Sequence, residues 1–61
     1  MAQITEKELS AISDLLTYEQ ILVAKYNMAA QTTNDTALKD CYTRMTQRHQ
    51  RHFDELYTNL K

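Results

Sequence analysis

Neither glycine nor proline occurs in this chain of 61 residues. These are the two strongest local breakers of regular structure, so nearly all of the sequence is free to be helix. The apolar period lapses in one stretch, Gln31-Thr32-Thr33-Asn34-Asp35. The pattern predicts an all-α, two-helix antiparallel hairpin, a single domain over residues 1–61. Helix is expected over about 5–31, a turn at about 32–34 and a second helix over about 35–60. Each helix has an apolar face, and a hairpin has no third layer to bury it against. The expected remedy is a second copy of the chain, a homodimer closing an antiparallel four-helix bundle.

Small size strengthens that expectation. Domains this short are marginal and usually lean on disulfides, a metal or oligomerisation. A lone cysteine, Cys41, makes no internal disulfide and fits a reducing, intracellular setting. The net charge of −1 gives no overall pull toward nucleic acid or an anionic membrane, and neither is an expected partner. The longest strictly apolar run, Ile21-Leu22-Val23-Ala24, is far too short to span a bilayer. No basic segment followed by an apolar run opens the sequence, so no secretory signal is visible. A soluble, cytoplasmic protein is the expectation.

The first helix has a well-specified start. Thr5-Glu6-Lys7-Glu8 has the form of a capping box, with Ile4 and Leu9 placed as a hydrophobic staple across it. Leu9, Ile12, Leu16, Glu19, Val23, Tyr26 and Ala30 then follow steps of three and four. Leu15, Leu22 and Ala29 widen this stripe on one side, as in a bundle helix. In the second helix Asn34 is the expected N-cap, with Asp35 in the first turn and Thr33 as a competing cap. Its face runs through Leu38, Cys41, Tyr42, Met45, His49, His52, Phe53, Leu56 and Leu60. The expected core and dimer interface is Leu9, Ile12, Leu16, Val23, Tyr26, Leu38, Cys41, Met45, Phe53 and Leu56.

In an antiparallel hairpin, residues whose numbers sum to roughly 66–68 lie at one level. Glu19, the only acid of the first stripe, then falls beside Arg48 and His49, with His52 one turn on. Carboxylate and imidazole suit iron, manganese or zinc, and bundles build metal sites from such inward groups. Glu19, His49 and His52 are therefore the candidate ligands. The spacing differs from the di-iron pattern, since Thr46 rather than Glu stands three before His49. The plainer reading needs no cofactor. It is a polar layer, with Glu19 bonded to Arg48 or a histidine, that sets register at some cost in stability.

The remaining candidates read mainly as structure. Arg44, Arg48 and Arg51 form a basic ridge that could meet phosphate or an acidic partner, but reads as a solvated face partly paired with acids. Cys41, on the apolar face, reads as a buried inert thiol. No glycine-rich phosphate loop, Ser/His/Asp set or Cys/His zinc ladder is present, so no catalytic residue is expected.

Two segments resemble spore coat F-type proteins of endospore-forming bacteria. One is Leu15-Leu16-Thr17-Tyr18-Glu19-Gln20 with Lys25-Tyr26-Asn27-Met28-Ala29-Ala30. The other is Asn34-Asp35-Thr36-Ala37-Leu38-Lys39 with His49-Gln50-Arg51-His52-Phe53-Asp54. The resemblance implies a ferritin-like helical unit, a link to sporulation and a structural role in the coat beside other coat proteins. The chain departs from that pattern at Gln47-Arg48, where acids are usual, and lacks a glycine-containing tail. The functions left in view are a non-catalytic structural module, a metal-binding ferritin-like protein, and an adaptor docking a partner through outer residues such as Arg44 and Arg51.

Leu16→Asp or Met45→Asp is expected to unfold the protein. Each sets an unpaired charge at a core position, at a cost on the order of several kcal/mol. Far-UV circular dichroism measures the loss.

Overall fold

The computed structural model describes residues 4–60. They form two helices, α1 (Glu6–Thr32) and α2 (Thr36–Thr58), packed as a hairpin. No strand occurs among them. The hairpin is long and thin, with principal extents of 47 × 16 × 11 Å. Its radius of gyration is 14.3 Å, against roughly 10.5 Å for a compact chain of this length.

The capping box at the start of α1 forms as expected. The Glu8 backbone N–H donates to Thr5 Oγ1 at 3.1 Å, and the Thr5 N–H donates to Glu8 Oε1 at 3.1 Å. The Thr5 hydroxyl, and after it the Thr5 amide, holds the exposed Glu8 carboxyl below the ordinary glutamate range. Ile4 is half-buried and Leu9 exposed.

The connection differs from expectation by one residue, and the reason is local. Asp35, not Asn34, caps α2: its side chain accepts from the Leu38 N–H at 2.9 Å, and its carbonyl accepts from Lys39. Thr33 closes α1, and its hydroxyl also accepts from the Asp35 N–H at 3.2 Å. That small turn holds Asp35 extended, at φ −89° and ψ 117°, the conformation an N-cap requires. Thr33 is extended too, and no described residue has positive φ, so the turn is built without glycine.

Between the helices, the half-buried residues are those of the expected stripes: Ile12, Leu16, Val23 and Tyr26 on α1, and Met45, Phe53 and Leu56 on α2. Three of the expected set differ. Leu9, Leu38 and Cys41 are exposed in the hairpin. Leu9 and Leu38 stand near opposite ends of the pair. Cys41, eight residues before His49, falls to one side of the line along which α2 meets α1, so its thiol is not the buried one that the apolar stripe predicted. Among the described residues only Ala30 and Glu19 count as buried.

Two end effects are testable. Thr5→Ala and Asp35→Ala are each expected to cost about 1 kcal/mol, read as a lower midpoint in urea unfolding. The Glu8 carboxyl is lowered on folding, so its contribution is present above the ordinary glutamate range and is lost as pH falls through its lowered folded value. Helicity is expected to decline there on acidification, with that part of the decline absent from Glu8→Gln.

Candidate functional site

Glu19 lies midway along α1 on the face turned toward α2, and it is one of the two buried residues among those described. A carboxylate in that place requires partners. His49 Nδ1 lies 2.7 Å from Glu19 Oε2, and His52 Nδ1 lies 3.7 Å from Glu19 Oε1. The two oxygens therefore face different imidazoles. A carboxylate oxygen accepts, so the donor in this hydrogen bond is the Nδ1–H tautomer of His49. The contact to His52 is beyond hydrogen-bond length.

Helix periodicity places the two histidines. Three residues apart on α2, they project on one side, toward Glu19 on α1. Their rings stand 5.6 Å apart at 87°, edge to face. Tyr26 lies seven residues after Glu19 and hence on the same side of α1. It stacks on His49 at 5.6 Å with an interplanar angle of 6°. Tyr42 extends this aromatic column, 6.3 Å from Tyr26. The side chains of Glu19 and His49 are 12% and 16% exposed, and that of His52 is 44% exposed. The cluster thus runs from a covered carboxylate to a wet imidazole, which borders an open groove lined by Glu19, His52, Glu55, Leu56 and Asn59.

The structure brings together all three candidate ligands, with ligand atoms within 4.8 Å of one another. It leaves out Arg48, which is exposed and makes no ion pair with Glu19. Counting levels from the turn places Arg48 and His49 together, but only His49 sits on the inward side of α2. Arg44 and Arg51 are exposed as well. Among the described residues no arginine or lysine lies within ion-pair distance of a carboxylate, so the basic ridge is not matched by acids of α1. Thr46 donates its hydroxyl to the Tyr42 carbonyl at 2.9 Å, a bond within its own helix. The stacking of Tyr26 on His49 escaped the sequence reading. The seven-residue step from Glu19 was the available signal.

A scan against protein-family models gives no match. Searches of curated proteins and of solved structures give no match either.

Glu19→Ala is expected to destabilise the fold by about 1–3 kcal/mol, because it strands the His49 donor. His52→Ala should cost less than about 1 kcal/mol, its contact being longer and wetter. Urea unfolding at one fixed protein concentration compares them.

Proposed function

We propose that this chain is a non-catalytic structural and interaction module that works as a homodimer, two hairpins forming a ferritin-like four-helix bundle. The observation that supports this reading is the apolar flank of α1. Leu15, Tyr18 and Leu22 recur at steps of three and four along it. Leu15 is 48% and Tyr18 58% exposed, with Leu22 half-buried. Ile21 and Met28 add exposed apolar surface farther round α1, and Leu38 adds more on α2.

The surface area points the same way. The chain exposes 4943 Å², against roughly 4,100 Å² for a compact monomer of its mass. The excess of about 800 Å² is that of a thin two-helix layer with little interior of its own. Charge is compatible with self-pairing. Residues through α1 carry four acids against two lysines, whereas the later part carries five bases against four acids. A two-fold arrangement that sets α1 of one copy against α2 of the other places unlike charges together. The resemblance to coat F-type proteins offers the setting, a structural part of a spore coat assembled with other coat proteins. No helix among the described residues is long and apolar enough to cross a membrane.

Sedimentation equilibrium is expected to give a dimer at micromolar concentration. Leu15→Asp and Tyr18→Glu, neither at the hairpin's own seam, should shift it toward monomer with loss of helicity. A helical, cooperatively folded monomer of the native sequence would overturn the reading.

A further inference from the structure

We infer that Glu19, His49 and His52 bind one divalent transition-metal ion within a single hairpin, through one carboxylate and two imidazole Nδ1 atoms. This goes beyond the structural reading above and does not depend on it, because all three ligands come from one chain.

The geometry carries the inference. In a tetrahedral site with bonds of 2.0–2.1 Å, neighbouring ligand atoms stand about 3.3 Å apart. The imidazole contacts, 2.7 Å from His49 to Oε2 and 3.7 Å from His52 to Oε1, bracket that spacing but meet different carboxylate oxygens, so coordination through one oxygen requires the carboxylate to turn. The two rings lie nearly at right angles, each presents Nδ1 to the same carboxylate, and the ligand atoms of all three residues lie within 4.8 Å of one another. Tyr26, flat against His49, limits rotation of that ring.

A plain polar layer accounts for less of this arrangement. One hydrogen bond, from His49, reaches the buried carboxylate, at Oε2. His52 stands outside hydrogen-bond reach of Glu19, so the polar layer gives it a long, half-exposed contact but no ligating role. A metal ion gives it one. The ion takes the place of the His49 Nδ1 proton, which moves to Nε2 or to solvent, and draws His52 in as third ligand. Two nitrogens and one carboxylate suit zinc, iron(II), cobalt or manganese. Calcium and magnesium seek mainly oxygen, and copper(I) seeks sulfur. The groove beside His52 and Glu55 gives an entry path and leaves water in the fourth position.

The test uses zinc and the full chain, purified without a histidine tag and carrying Cys41→Ser, because the exposed Cys41 thiol is a competing ligand. Calorimetric titration is expected to show one zinc per chain, and zinc should raise the Tm. His52→Ala, at a half-exposed position where the fold tolerates change, should weaken binding at least tenfold and remove most of the rise in Tm. Glu19→Gln should weaken binding as well. X-ray absorption of the zinc-loaded protein should show nitrogen and oxygen neighbours with two imidazoles. No binding, one zinc per two chains, fewer than two imidazoles at the zinc, or equal affinity in His52→Ala would overturn the site. Sedimentation of the same samples reports dimerisation separately. One zinc on a monomeric hairpin would uphold the metal site while removing the dimer.

Discussion

A layer only two helices thick covers one stripe of each helix and leaves the flanks of that stripe in water. This constraint underlies most of what the structure shows. The stripe residues Ile12, Leu16, Val23, Met45 and Leu56 are half-buried rather than buried. Beside them, Leu15 and Tyr18 remain exposed. Apolar surface of that extent requires a cover if the chain is to be stable at this size. The proposed second copy would supply it along most of the hairpin's length, and each α1 flank would become part of a shared interior.

Within that thin layer, the best-covered side chain on α1 apart from Ala30 is a carboxylate. Glu19 cannot be placed there without His49, and the 2.7 Å contact between them ties the helices at mid-length. A bond of this kind contributes modestly to net stability. It opposes other registers more strongly, since sliding α2 past α1 would strand both groups. His52 belongs to the same cluster but not to the same hydrogen bond. The difference between these two histidines separates a merely structural layer from a ligand set.

Much of the fold was legible in the residues. The capping box at Thr5 and Glu8 forms as its spacing predicts, because a cap is satisfied within four residues and needs no tertiary support. The stripes and the antiparallel pairing follow from helix periodicity and a short turn. Local rules were less decisive at the second cap. Thr33, Asn34 and Asp35 are all good capping residues, and the bond from the Asp35 N–H to Thr33 Oγ1 selects among them. Of the candidate site, the meeting of Glu19 with His49 and His52 was legible from inward position and level. The role of Arg48 was not, because level along a hairpin does not tell which side of the helix a residue occupies.

The sequence by itself determined that this chain is two helices and a turn, since it contains no residue that would break either helix and one stretch where the apolar period lapses. It also determined that acid and imidazole share one level. Only the tertiary structure decided which of the polar residues at that level meet, and how closely. The rotation of α2 about its axis turns His49 inward, leaves His52 at the margin and carries Arg48 and Cys41 outward. That rotation is set by how the side chains of both helices interlock, a property of the packed pair that neither stripe specifies alone.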